Sequence, residues 1–451
     1  VLHIIDGLGG GGSERHVWEI VRLSDPAQVA HRVVTVFPDD GTFVYAERLR
    51  RAGAYLQESE SEETANGAQP SLKTLIRSRL SGRLKQPLRP LRHAASSVRN
   101  YVSPASRQEE AFLSATETET RERVMDGVYA AAIGRLAREY MSFRPDVIHG
   151  HTFHGFSLGL SLKLMFHRPM VYYVPALFSQ LEDVNIGWLP EQYKSFHQGV
   201  DRFFTSYPDE LAKIGVPPEK VVRMQVVVDL QEVARVRAEH ERHRREIRLA
   251  AGIAEDAPVA LSVGRLHPSK GHEYALEALP SLVEHFPDLH WIVIGNEAEE
   301  ERAALELRAR QLGVERHMHL MGFAEEPLPF YAAADIYFRT PVYEAENLSS
   351  CQAMAMGLPA VGFETGGEHA LELIGKVGHG LLVPPRDALA LAEAARRILS
   401  LPDRGRAMGQ RGASYCQAHL DFQGLISMLV DVYSELRRSR TGSDIVETEA
   451  L

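Results

Sequence analysis

The chain has 451 residues, 44% hydrophobic and 24% charged, with a net charge of −10; this size calls for two domains, and the acidic balance excludes nucleic acid as the default partner. Its two cysteines, Cys351 and Cys416, are too few for a disulfide framework and fit a reducing, cytoplasmic setting. No apolar run reaches the ~18 residues of a membrane span; the nearest, Phe156 to Phe166, contains Lys163.

The chain shows no secretory signal and opens in a strand without Met, so a few residues are expected to precede Val1. Short apolar, β-branched runs then alternate with helical patterns. In the first half they are Leu2–Asp6, Arg32–Phe37, Ala54–Gln57, Asp146–Gly150, Pro169–Val174, Arg202–Ser206 and Val221–Val228. In the second half they are Val259–Gly264, His290–Gly295, His317–Phe323, Asp335–Arg339, Ala360–Phe363 and Gly380–Pro384. Continuous apolar strands separated by helices predict parallel sheets covered on both faces. Two such series predict an α/β chain of two doubly wound, Rossmann-like domains, with a ligand between them outside the carboxyl ends of the strands.

The expected division places 1–235 in the first domain, 236–417 in the second, a helix over 418–438 returning to the first, and a tail without fixed structure over 439–451. An insertion over about 58–122 lacks strands. Within it, Ser71 to Asn100 carries Lys73, Arg77, Arg79, Arg83, Lys85, Arg89, Arg92 and Arg99 and no acid, with Leu72, Leu75, Ile76 and Leu80 at helical spacing. This piece reads either as a solvated helical insertion or as a surface for an anionic acceptor or the inner face of an anionic membrane.

Several segments can carry chemistry. The first strand runs into Asp6-Gly7-Leu8-Gly9-Gly10-Gly11-Gly12-Ser13, where glycines let backbone amides approach a ligand, although a plain tight turn has the same composition. The spacing is not that of a dinucleotide fingerprint, which argues against a dehydrogenase. His149, His151 and His154 follow the fourth strand, with His149 and His151 on one side of it. Lacking a cysteine or a carboxylate at ligand spacing, they read as strand-end histidines bordering a polar cleft rather than as a metal site.

Val263-Gly264-Arg265-Leu266-His267-Pro268-Ser269-Lys270-Gly271 places two cations between a buried strand and a helix start. Cations there oppose the helix dipole unless an anion lies nearby, so the pair points to a bound diphosphate. Thr340-Pro341-Val342-Tyr343-Glu344 ends another strand in a carboxylate loop, and Asn347 or a neighbour opens the next helix with free amides. Gln352 lies about 7 Å further along the axis, at ~1.5 Å per residue, roughly the step from a diphosphate to a ribose. A capped helix with an incidental acid is the plainer reading of that segment. No Gly-x-Ser-x-Gly elbow and no Walker lysine loop occurs, which removes the common hydrolase and NTPase readings.

Taken in order, these pieces resemble the retaining GT-B glycosyltransferases of family 4 (glycosyl transferases group 1), the group of sucrose synthases and bacterial mannosyl- and glucosyltransferases. The likeness rests on the Gly9–Glu14 loop, Pro145 to His151, Val228-Asp229, Gly264-Arg265-Leu266 with Lys270-Gly271, Tyr331 to Asp335 and the Glu344 block. Ala355 to Pro359, Thr365-Gly366-Gly367-Glu368 and Gly378 to Val383 complete it. It implies a GT-B fold, two Rossmann-like domains facing across a cleft, and hexosyl transfer from a nucleotide-sugar to an acceptor hydroxyl without a metal or prosthetic group. Arg265 and Lys270 are implied to bind the donor diphosphate, helped by the amides of Asn347, Leu348 and Ser349 and bordered by Gly11 and Gly12. Glu344 is implied to sit at the donor sugar.

The chain departs from the family pattern at three places. Gln352 stands where a second Glu accepts from ribose hydroxyls. The family His after the fifth strand is missing from Val174-Pro175-Ala176-Leu177, leaving His151 or His154 to stand in. Asn296-Glu297 replaces the more usual Asp-Gly. The alternative these leave is a degenerate nucleotide-sugar or glycan-binding protein. The donor (UDP-, GDP-, ADP- or dTDP-hexose) and the acceptor (sugar, glycoconjugate or small molecule) stay open.

Overall fold

The computed structural model describes residues 1–7, 12–36, 45–52, 54–56, 132–174, 197–295, 299–342, 348–365 and 371–448. The basic insertion, Gly11, Glu344, Asn347 and the Asn296-Glu297 pair lie outside them. The chain divides into two compact units, Val1–Arg223 with Met428–Leu451, and Met224–Ser427.

The first unit is built on one parallel sheet in the order β3-β2-β1-β4-β5-β6-β7. Its strands are β1 Leu2–Ile5, β2 Arg32–Thr35, β3 Tyr55–Leu56, β4 Ile148–Gly150, β5 Met170–Tyr173, β6 Arg202–Thr205 and β7 Val221–Arg223. Helix α1, Gly12–Leu23, turns Val17 and Val21 toward Ile5 and Val33. Helix α2, Thr152–Phe166, is apolar on most sides and buries Phe156, Leu158 and Leu162 against Ile4, Ile148 and Tyr172 on the opposite face.

The second unit contains β8 Val259–Val263, β9 His290–Ile294, β10 Met318–Leu320, β11 Ile336–Arg339, β12 Ala360–Phe363 and β13 Gly380–Val383. All are parallel, in the order β10-β9-β8-β11-β12-β13. Alternation along each strand fills two cores. Val259, Leu261, Ile292, Ile294 and Tyr337 enter one, while Ala260, Trp291, Val293, Ile336 and Phe338 enter the other. With helices on both faces, most positions of such a strand are apolar, and so the strands read as short, mainly hydrophobic runs, with Ser262, His319 and Arg339 among the polar exceptions.

The helices that bear on the candidate site and on stability are α3 His240–Ala250, α4 His272–His285 and α5 Leu348–Met356. Helix α6, Phe422–Thr448, starts in the second unit and continues into the first. It runs past Arg440, where composition suggested a tail without structure. No proline interrupts 422–448, and extending a nucleated helix costs little per residue. Among the described residues no helix is long and apolar enough to cross a membrane.

One buried ion pair ties the start of β11 to α3. Arg248, 1% exposed, donates to Asp335 Oδ2 at 2.9 Å and to the carbonyls of Ala333, Ala254, Glu255 and Ala257. Asp335 also accepts from Arg244 at 3.0 Å and from the amide of Val259 at 2.9 Å. Removing the acid leaves a buried guanidinium without its counter-charge. Asp335→Ala should therefore destabilise the second unit by about 3–5 kcal/mol, read as a fall in the denaturant midpoint. A loss below about 1 kcal/mol would show that the carbonyls alone hold Arg248.

Candidate active site

In the six-stranded sheet β8 and β11 are neighbours, yet the chain moves from β8 toward β9 and from β11 toward β12. At such a switch point the loops part and leave a crevice at the carboxyl ends of the strands. Residues 264–271 leave β8 there, held by backbone contacts that only glycines allow. A Cβ on Gly295 would lie 1.9 Å from Gly264 O, and one on Gly271 (φ 61°) would lie 2.1 Å from Thr340 O. Thr340 Oγ1 donates to Lys270 O at 3.0 Å, and the amide of Val342 donates to Ser269 O at 2.9 Å.

The first turn of α5 joins the same assembly. Ser349 Oγ donates to Val263 O at 3.1 Å. The hydroxyl of Tyr331 reaches Ser349 O at 3.0 Å and Gln352 Oε1 at 3.3 Å. The β8 loop, the β11 exit and the start of α5 are thus one hydrogen-bonded piece. Its charge is positive where it can be seen. Arg265 is exposed, and the Lys270 methylenes lie 3.7–3.9 Å from the open side of Gly264. Arg339, buried at the end of β11, donates to Phe363 O at 2.9 Å and to Thr365 Oγ1 at 3.2 Å, while Thr365 Oγ1 donates to Pro341 O at 2.9 Å. Fixed cations beside a helix N-terminus suit a diphosphate.

His272 braces this loop. Its Nε2 donates to Arg265 O at 3.1 Å, and burial pushes its pKa down to about 4, so the ring is neutral. Tyr331 stands in one of the motifs named from sequence but without a site role there, whereas His272 and Arg339 stand in none; the one local signal is an arginine ending an otherwise apolar strand.

The equivalent switch point of the first unit lies between β1 and β4. A Cβ on Gly155 would lie 2.3 Å from Ile4 O, so α2 starts in contact with the sheet. Thr152 adopts φ 60°, an unusual left-handed position for a β-branched residue, and donates to Asp6 Oδ1 at 2.6 Å. Burial raises the pKa of Asp6 and lowers that of its neighbour His154. His149 and His151 share one side of β4, as the spacing predicts, but they are buried rather than bordering a cleft. His151 Nε2 sits 2.9 Å from His3 Nδ1, and His149 Nδ1 sits 2.7 Å from the Tyr433 hydroxyl of α6. A strand-end position cannot show that β1 and the returning helix cover these rings.

Of the residues singled out from sequence, Arg265, Lys270, Leu348, Ser349 and Gln352 come together at the second switch point. Gln352 is buried there against Tyr331. Gly12 opens α1, and His151 is in the core of the first unit.

Residues 243–415, which contain this crevice, match the sequence model of the family described as glycosyl transferases group 1. Over this segment the chain is similar to that family. Among similar proteins, the D-inositol 3-phosphate glycosyltransferase of Corynebacterium urealyticum is 30% identical over 221 residues, 48% of this chain and 51% of the relative. The match thus spans about half that relative's length. Alpha-D-kanosaminyltransferase of Streptomyces kanamyceticus is 25% identical over 284 residues, 62% of this chain and 72% of the relative. Among solved structures, Anabaena Alr3699/HepE aligns with a TM-score of 0.65 at 16% identity, covering 96% of this chain and 99% of that one. The fold is accordingly that of the GT-B glycosyltransferases.

Two outcomes follow for the second unit. Gly271→Ala forces a side chain into Thr340 O from a left-handed backbone, so it should cost about 1–3 kcal/mol and weaken binding of nucleoside diphosphates at least tenfold by calorimetry. Unchanged binding would mean that the Gly271–Thr340 contact does not shape the crevice. The second concerns acid. Burial pushes His272 and His379 down to about 4, below the ordinary 6.5 of a histidine. As pH falls below 6.5, the unfolded chain takes up protons that the folded chain refuses, so stability declines between about pH 6.5 and 4. The slope is on the order of 1 kcal/mol per pH unit for each ring. Denaturant midpoints at pH 7.5 and 5.5 should show this loss, and His272→Asn should reduce it.

Proposed function

We propose that this chain is a retaining, metal-independent glycosyltransferase that moves a hexosyl group from a nucleotide-sugar to an acceptor hydroxyl. The second unit holds the donor and the first serves the acceptor. The observation that carries this reading is the hydrogen-bonded junction of the Arg265–Lys270 loop with the start of α5 at the switch point, inside the glycosyl transferases group 1 segment. Arg265 and Lys270 take the diphosphate oxygens, and the amides of residues 347–349 add further donors. Glu344, four positions before α5 in the sequence, is assigned to the anomeric carbon on the family resemblance, where a carboxylate favours the positive charge that develops.

Catalysis is then mostly electrostatic. The bond between the anomeric carbon and the phosphate oxygen breaks while the cations hold the departing nucleotide. The acceptor oxygen bonds to the same face of the sugar and passes its proton to the departing phosphate oxygen. Gln352 offers an amide oxygen in place of a carboxylate, which weakens a ribose contact by on the order of 1 kcal/mol. His151, being buried, is not assigned a contact with the sugar. The name of the first relative, a D-inositol 3-phosphate glycosyltransferase, makes a cyclitol phosphate one acceptor to test. UDP-, GDP-, ADP- and dTDP-hexoses are the donors to compare.

Arg265→Ala, Lys270→Ala and Glu344→Gln should each lower transfer at least 100-fold, followed as release of nucleoside diphosphate in the presence of an acceptor panel. Near-native rates in all three would reject the site. The matching donor should raise thermal stability, by about 2.7 kcal/mol at 100 times its Kd. The second reading, a nucleotide-sugar-binding protein, is favoured by Gln352 being turned to Tyr331. Donor binding without turnover on a broad acceptor panel would establish it.

A further inference from the structure

We propose that His3, His149 and His151 form a binding site for one transition-metal ion in the first unit, suited to Zn²⁺ and independent of the donor site. Strand register creates it. His3 of β1 pairs directly with His149 of β4, and His151 follows two residues on, so all three imidazoles project to one side of the sheet. Each ring offers a nitrogen within 4.8 Å of the others'.

The ring centroids of His3 lie 5.3 Å from those of His149 and 5.2 Å from those of His151. Imidazoles sharing a tetrahedral ion at ~2.0–2.1 Å per bond have centroids about 5 Å apart. The His149–His151 spacing of 3.9 Å is shorter, so these two rings move apart by about 1 Å to share an ion.

The polar groups around the cluster make the same point. His149 Nε2 and His151 Nδ1 are buried without a hydrogen-bond partner. Of the remaining nitrogens, His149 Nδ1 rests on the Tyr433 hydroxyl at 2.7 Å and His3 Nε2 on His31 Nδ1 at 2.8 Å, while His3 Nδ1 and His151 Nε2 lie 2.9 Å apart in a hydrogen bond that a shared ion would replace. Outer contacts of this kind fix the tautomer and aim of metal-bound imidazoles. An all-imidazole set favours zinc, copper, nickel or cobalt over calcium and magnesium, which prefer oxygen. Three protein ligands leave a fourth position for water or another small ligand.

The test uses the purified full chain, stripped by a chelator and re-equilibrated with Zn²⁺. One zinc per chain should survive gel filtration, thermal stability should rise by several degrees, and Co²⁺ in its place should give the visible bands of a tetrahedral nitrogen-bound ion. His149→Asn and His151→Asn should each lose the stoichiometric ion. Tyr433→Phe should keep it with about 10–100-fold weaker affinity. His319→Asn, which breaks the 2.9 Å His290–His319 pair of the second unit, should leave it unchanged. A native chain that retains no zinc and gains no stability from it overturns the proposal. So does bound zinc that survives His149→Asn but is lost in His319→Asn. If the His→Asn variants do not fold, the native stoichiometry, the cobalt spectrum and the Tyr433→Phe affinity decide.

Discussion

Backbone packed directly on backbone at the exits of β8, β9 and β11 is the constraint on which the crevice of the second unit depends. Where Gly295 meets Gly264 and Gly271 meets Thr340, no side chain fits between the strands' ends. The loop between these contacts cannot rise away from the sheet, so Arg265 and Lys270 are presented from a rigid base. A cation on a rigid base has already lost its freedom before an anion arrives, and less binding energy goes into ordering it. The same contacts draw Ser349 onto Val263, setting the start of α5 beside the cations.

The two units share a strand order around their switch points but fill them differently. In the second unit the strands end in glycine, threonine and cations. In the first, the β1–β4 junction is filled with imidazoles and closed by Gly155 against Ile4. A doubly wound sheet supplies a crevice; the side chains at the strand ends decide what can occupy it. Helix α6 bears on this difference because Tyr433 covers His149 from above the sheet.

Stability and site geometry also meet in β11. Its first end is anchored through Asp335 by Arg244 and Arg248, and its last end carries Arg339 and Thr340 into the crevice. A strand held at both ends transmits little slack to the loop that follows it. The interior cations are satisfied largely by carbonyls, which lets them stay charged in places that apolar strands otherwise define.

The amino-acid sequence by itself determined the architecture. A strand covered on both faces is apolar at most positions, so the strands stand out as short, mainly hydrophobic runs, and the glycine-cation loop after Val263 marks the crevice in the sequence alone. Only the tertiary structure decided which distant groups meet. Nothing local to His149 says that His3 will lie beside it, because register between β1 and β4 brings together residues that are far apart in the chain. Arg339 reads as the end of a strand until Phe363 O and Thr365 are seen to receive it, and Gln352 looks free until Tyr331 reaches it. The physical reason is the same in each case: periodicity and composition report how a residue faces its own element, whereas burial and hydrogen bonding depend on what other elements bring against it.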